Sequence, residues 1–411
     1  MYLERAQAAR LRELMGFFPA VVVTGARQVG KSTMIQHTLA AHADIVVFDP
    51  VLDVENARRE PDLFLDNHRR PLVLDEIQYA PELVASLKRR IDKDRTPGQY
   101  VLTGSQQWGV LASVSESLAG RAVFLDLEGF SLAELARNAG TSWLQAWLDG
   151  AAEPQAPSLN RLKLDRPLFE QLWRGFLPEA QFLPAAHVPV FLTAYLRTYV
   201  ERDVRTLADV SDWQLFGRFV RLAAALTAQE VKFAHLGREL GLNPETSKRW
   251  LAMLTATFQW HEVPGYSGNL AKRVSLKPKG YFADTGLACL AQAISTPAAV
   301  ASHPSWGALF ETAIVAEIRK ACALMSPSPN LYHWRSHGGA EVDLLLERDG
   351  KFHPIEVKGT SHPSRSDTSG IAAFRKAHPG LRIGQGLVIA PVERSYPLSE
   401  QDWAFPWDAC V

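Results

Sequence analysis

Residues 21–36 read VVVTGARQVGKSTMIQ, and the fold turns on how that stretch is read. It matches the pattern G-x-x-x-x-G-K-[ST] at every fixed position: Gly25, Gly30, Lys31 and Ser32. The β-branched run before Gly25 suits a buried parallel strand, and KSTMIQHTLAAH after Gly30 suits a helix. A glycine loop between such a strand and helix turns backbone amides and a helix N-terminus toward negative charge. Gly25, Ala26, Arg27, Gln28, Val29, Gly30, Lys31, Ser32 and Thr33 are therefore expected to wrap the phosphates of ATP. Lys31 would reach the β- and γ-phosphates, and the Ser32 hydroxyl would ligate Mg²⁺.

Working outward, RRPLVLDEIQYAPEL holds an apolar strand, Leu72–Leu74, that ends in Asp75 and Glu76. Asp75 is expected to hold the Mg²⁺ through water, and Glu76 to polarise the attacking water. A third strand, GQYVLTGSQQ, ends in Thr103-Gly104-Ser105, so Thr103 and Ser105 are candidate sensors of the γ-phosphate. Arg121 follows a glycine where a helix should stop. It reads equally as an arginine finger, for its own or a neighbouring chain's phosphate, and as a surface arginine.

The bulk numbers bound the rest. A chain of 411 residues is too long for one ordinary core, so two to four domains are expected. Hydrophobic residues at 47% and charged residues at 21% are those of a soluble globular protein. Lys and Arg total 44 against 44 Asp and Glu, so any nucleic-acid surface has to be a local patch. Cys289, Cys322 and Cys410 show no metal spacing and fit a reducing compartment. No apolar run has membrane-span length and the opening MYLERAQAAR lacks a signal-peptide core, so a cytoplasmic location with no membrane contact is expected.

Downstream, AAEPQAPSLNRLKLDRP reads as a loop, and VPVFLTAYLRTYVERDV returns to helical spacing. Then FAHLGREL, a turn at GLN and PETSKRWLAMLTATF give helix, tight turn, helix. Two later segments, FQWHEVP and KRVSLKPKGYFAD, would pair as a wing. In a DNA reader Lys248 and Arg249 would face the groove, and Lys272, Arg273, Lys277 and Lys279 would touch phosphate. A rigid packing module between two domains fits the same pattern equally well.

AISTPAAVASHPSW, residues 293–306, reads as a linker. After it, GALFETAIVAEIRKACALM has helical spacing and carries Glu311. EVDLLLERDGKFHPIEVKG reads as a hairpin turning at Asp349-Gly350. Glu356 and Lys358 alternate about Val357, so they share a face, with Asp343 on the first strand. Glu311, Asp343, Glu356 and Lys358 are the set a metal-dependent nuclease needs: carboxylates for Mg²⁺ and a lysine to orient water. An alternating strand with acid and base on its wet face produces E-x-K as well.

TGARQVGKST, LDEIQYAPEL, LTGSQQ, SLAGR, YVERDV, KPKGYFADTGL, GALFETAIVAEI and EVDLLLERDGKFHPIEVKG together resemble the prokaryotic AAA-type ATPases that carry a C-terminal domain of unknown function. The resemblance runs over nearly the whole chain. Residues 138–167 depart from it most. It implies a multidomain α/β fold: a P-loop core of AAA/ASCE type at 1–135, a helical lid or linker at 136–212, a winged helix at 213–292, and a restriction-endonuclease-like PD-(D/E)xK domain at 300–411. Two functions are open. In one, the nucleotide state controls a nuclease-like domain acting on DNA. In the other, the ATPase is a regulatory switch and the tail is a catalytically silent module that binds a protein partner.

Overall fold

The computed structural model describes residues 2–49, 54–104, 117–138, 142–154, 161–199 and 212–409, and not the side chains of Leu270 and Lys272. Helix α1 (Ala6–Met15) precedes strand β1 (Ala20–Thr24), and α2 (Lys31–Leu39) follows the glycine loop. Next come β2 (Asp44–Val47), β3 (Leu72–Asp75), α3 (Leu83–Lys93), β4 (Tyr100–Thr103) and β5 (Ala122–Asp126). These strands form one parallel sheet in the order β2-β3-β4-β1-β5. All five residues of β1 are buried, which is why its sequence is a continuous apolar run and not an alternating one. Side chains alternate across it: Val21 and Val23 pack with Leu11, Met34 and Ile35 on one face. Ala20 and Val22 pack with Leu72, Leu102, Leu87 and Ile91 on the other.

The middle of the chain holds α4 (Val188–Thr198), α5 (Trp213–Ala225), α6 (Phe233–Arg238) and α7 (Pro244–Ala256). Gly241, at φ 67°, makes the turn between α6 and α7. Asn243 Oδ1 then caps α7 by accepting from Thr246 N at 2.7 Å, with Pro244 at the first helical position. The Trp250 ring meets Phe216 and Phe219 edge-on at 5.3 and 5.4 Å, fixing α7 against α5. Strands β6 (Gln229–Glu230), β7 (Trp260–Val263) and β8 (Lys279–Phe282) make a small antiparallel sheet with β8 in the centre. Residues 293–306 depart from the expected linker: Pro297–Ser302 is a short helix, capped by Thr296 and burying Val300.

Helix α8 (Trp306–Ala323) opens the C-terminal part, where its apolar stripe of Leu309, Phe310, Ile314 and Ile318 is fully buried. It is followed by β9 (Asn330–Arg335), β10 (Glu341–Arg348), β11 (Lys351–Val357), α9 (Ser369–Ala377), β12 (Arg382–Ile383), β13 (Gly386–Ala390), β14 (Tyr396–Pro397) and β15 (Asp402–Pro406). The strands form one mixed sheet in the order β14-β15-β13-β11-β10-β9, with β12 beside β11. β10 and β11 are the expected hairpin, and Asp349 and Gly350 both take positive φ at its turn (53° and 72°). Between β10 and β9 the register slips at Val342–Leu345, a bulge that contains Asp343. Among the described residues, no helix is long and apolar enough to cross a membrane.

Candidate functional site

The loop from Gly25 to Gly30 leaves the C-terminal tip of β1 and enters α2. Its path needs left-handed backbone at Gly25 (φ 142°), Gln28 (φ 59°) and Gly30 (φ 94°), which is why glycine stands at two of these places. The Lys31 side chain is buried, and its Nζ donates to the carbonyls of Gly25 and Ala26 at 2.9 and 2.8 Å. The lysine thus lies along the inside of the loop. Thr33 is exposed, and Ser32 half-buried, at the start of α2.

Two strands over, β3 ends in Asp75 and Glu76 at the same edge of the sheet, about 10 Å from β1 at the usual strand spacing. Thr103, from the intervening β4, donates its hydroxyl to Asp75 Oδ1 and accepts from the backbone N of Glu76 at 3.1 Å. It therefore fixes both acids. Glu76 sits in left-handed backbone (φ 59°, ψ 48°), and its carboxylate accepts from the Gln78 amide. Ser105 lies outside the described residues. Ser32 and Asp75 supply the hard oxygen donors that suit Mg²⁺, so that donor set fits the ion.

Arg121 requires a correction. Ala122 pairs with Ala20, so Arg121 sits at the N-terminal edge of the parallel sheet. The loop that would hold phosphate leaves the other end of β1, about 15 Å away at 3.3 Å per residue. Its guanidinium instead donates to Asp92 on α3 from Nε and Nη2, at 2.6 and 2.8 Å. A role on its own chain's phosphate is dropped.

Arg5, which the sequence did not single out, is buried beneath the loop. It donates to Val29 O at 2.7 Å and Glu128 O at 2.7 Å, and pairs with Glu134 at 3.0 Å. The strap that it grips, residues 128–134, is held in turn by α8. Arg319 pairs with Glu128 at 2.9 Å, Lys320 donates to Phe130 O at 2.8 Å, and Glu317 accepts from Leu132 N at 2.7 Å. The phosphate loop and α8 are thus two ends of one bonded chain of groups.

The other end of α8 carries Glu311. The structure brings Glu311, Asp343, Glu356 and Lys358 together, and adds Lys279, Tyr281 and Glu341. Lys279 Nζ lies 2.7 Å from Glu311 Oε1, 2.9 Å from Glu341 Oε1 and 2.8 Å from Asp343 Oδ1. Tyr281 donates to Glu311 at 2.7 Å. Asp343 Oδ2 accepts from Val357 N at 2.9 Å, and Lys358 donates to Glu356 at 3.0 Å. Glu341 and Asp343 are two residues apart on β10, so they share a face and both reach Lys279.

Lys279 was expected on an exposed wing, touching phosphate. It is only 3% exposed, and its ammonium is committed to three carboxylates, so it cannot serve a DNA backbone. Arg273 is likewise engaged: its guanidinium stacks on Tyr266 at 4.5 Å and Tyr332 at 5.3 Å. Lys248 and Arg249 are exposed on α7. The side chain of Lys272 lies outside those described.

Family models match three consecutive segments of the chain. An AAA domain model matches residues 18–136, and domains of unknown function match 165–298 (DUF8612) and 306–410 (DUF4143). Residues 18–136 are thus similar to P-loop ATPase domains of the AAA type. Uncharacterized proteins Rv2008c of Mycobacterium tuberculosis and Mb2031c of Mycobacterium bovis are each 29% identical over 410 residues, which is 99% of this chain and 85% of theirs. Among solved structures, the chain resembles a Walker-type ATPase of Pyrococcus abyssi with a TM-score of 0.43 and 15% identity, over 70% of this chain and 94% of that one. It also resembles the Thermotoga maritima Holliday junction branch migration motor RuvB, at 0.29 and 17%, over 67% and 95%. Scores that low carry no weight for this fold.

The AAA domain thus ends at the strap that α8 holds, and α8 opens the segment matched by DUF4143. In that segment burial and the Asp343 charge raise the Glu356 carboxyl far above the ordinary range, while Lys279 holds Asp343 below it. Burial, then Asp343, raises Glu311 to about 7. A raised carboxyl contributes stability that is complete below its unfolded value, 4.5, and is lost as pH rises through the folded one. The unfolding free energy from urea titration, followed by tryptophan fluorescence, is expected to fall by on the order of 1–3 kcal/mol as pH rises from about 4.5 to about 7. Glu311→Gln, which keeps an acceptor for Tyr281 and Lys279 without the titration, should flatten the slope. An unchanged slope would place the titrating group elsewhere. The depressed Asp343 acts only below its own unfolded value of 3.8, outside this window.

Proposed function

We propose that the AAA domain binds and hydrolyses ATP and that its nucleotide state is passed to the C-terminal domain. The observation that supports this most directly is the shared sheet edge: the glycine loop with Lys31 on β1, and Asp75 and Glu76 on β3, with Thr103 between them. The loop amides and Lys31 would hold the phosphates, and Glu76 would take a proton from the attacking water. Ser32 and Asp75 would hold Mg²⁺, which offsets phosphate charge. The bonded chain from Val29 through Arg5 and Glu134 to Glu317 gives the nucleotide site a mechanical link to α8.

Two partners fit the C-terminal domain: DNA, if it is a nuclease, or a protein, if it is catalytically silent. The buried ammonium among its carboxylates favours the silent module. The reading is tested by calorimetry with ATP and Mg²⁺. Lys31 supplies charge-assisted hydrogen bonds of about 1.5–3 kcal/mol, so Lys31→Ala should weaken binding by about 10- to 100-fold. No heat with the wild-type chain would overturn the nucleotide reading.

A further inference from the structure

The carboxylate cluster does not suit the divalent ion that a nuclease-like fold would place there. A hard cation such as Mg²⁺ needs near-octahedral oxygen ligands about 2.1 Å away. Each of the four carboxylates of this cluster already has a cation on one of its oxygens. Glu311, Glu341 and Asp343 each give one oxygen to Lys279, and the second oxygen of Asp343 accepts from Val357 N. Glu356 is tied to Lys358. Among the described residues, no set of three or more His, Cys, Asp or Glu side chains is arranged to hold a metal.

We propose that the Lys279 ammonium is the resident cation of this cluster, and that the cluster is a clasp joining the middle of the chain to the C-terminal domain in place of a divalent metal site. An ammonium has three N–H donors and no acceptor, and here each donor has a carboxylate oxygen within 2.9 Å. The group is positioned by β8, the central strand of the small sheet, and Tyr281 two residues on bonds the same Glu311. Backbone bonds close the same interface nearby. Tyr266 N donates to His333 O at 2.7 Å, His333 N donates to Pro264 O at 3.0 Å, and Arg335 of β9 pairs with Glu230 of β6 at 3.6 Å. An entering Mg²⁺ would have to expel a buried ammonium and leave it without partners, a cost that its own ligation would first have to offset. The clasp does not depend on ATP hydrolysis, so a failed ATP titration leaves it standing.

The test uses Mn²⁺ alone, titrated into the nucleotide-free full chain and followed by electron paramagnetic resonance. Wild type and Asp343→Asn are expected to give superimposable isotherms. A site present in wild type and lost in Asp343→Asn would overturn the clasp. A second measurement needs no variant. Reductive methylation of the folded wild-type chain, mapped by mass spectrometry, should modify Lys279 at least about tenfold more slowly than exposed Lys248, with or without 10 mM Mg²⁺ (about a physiological excess). Exposure of Lys279 to the reagent on adding the ion would show that metal displaces it, and the proposal would fall.

Discussion

Glu76→Gln is expected to slow phosphate release by about 100- to 10,000-fold, the range for losing a general base, while ATP still binds within about threefold of wild type. The substitution removes the proton acceptor and little else. Gln keeps the length and an oxygen that can still accept from the Gln78 amide, as Glu76 does now. The backbone N of residue 76 would still donate to Thr103 Oγ1, so Asp75 should stay in place. Residue 76 occupies left-handed backbone, an arrangement that costs on the order of 1 kcal/mol for a side chain larger than Gly. That cost is the same for Glu and Gln, which makes the comparison clean. Steady-state phosphate release and calorimetry on one preparation separate the two effects. Release at the wild-type rate would move the base to another residue. Equal loss of binding and release would mean that Glu76 supports the fold of the loop and not the chemistry.

The parts of this molecule that were legible in the sequence are those in which one local pattern carries the physics. A β-branched run, fixed glycines and a lysine imply the strand, loop and helix of residues 20–39, because only glycine takes the loop's positive φ cheaply. Asp349-Gly350 between alternating strands gives the β10–β11 hairpin for the same reason. What needs strand order was not legible. Arg121 reads equally as a finger and as a surface arginine, and what separates the two on its own chain is that β5 starts at the far edge of the sheet, which no local signal says. Burial of charge was equally hidden. Lys279 lies among Lys272, Arg273 and Lys277 in the chain, and reads as one more basic residue on a wing. Its partners are 32 to 64 positions away, at Glu311 through Asp343, and two of them, Glu311 and Asp343, read as metal ligands. Arg5 follows an ordinary YLE and precedes an ordinary helix, so its place under the loop appears only in three dimensions.

Lys279→Met is expected to destabilise the chain by about 3–5 kcal/mol at neutral pH, the usual effect of removing one member of a buried ion pair. Methionine fills nearly the same volume, so the loss is electrostatic and not a cavity. It would leave Glu311, Glu341 and Asp343 facing one another with no cation between them; the Lys279 side chain is 4% exposed and its partners are 12%, 30% and 8% exposed, so little water is available to replace it. Two consequences distinguish this cause from simple misfolding. Protonation relieves the repulsion, so the deficit relative to wild type should shrink as pH falls toward the ordinary carboxylate range. Adding Asp343→Asn to Lys279→Met removes one of the stranded charges and should recover part of the loss, a coupling that a double-mutant cycle in urea reads directly. Additive losses would mean that the ammonium and Asp343 act separately. A destabilisation under about 1 kcal/mol, the figure for an exposed pair, would mean that water reaches the cluster freely. In that case Lys279 would be an ordinary surface contact, and the carboxylates beside it would again be open to a metal.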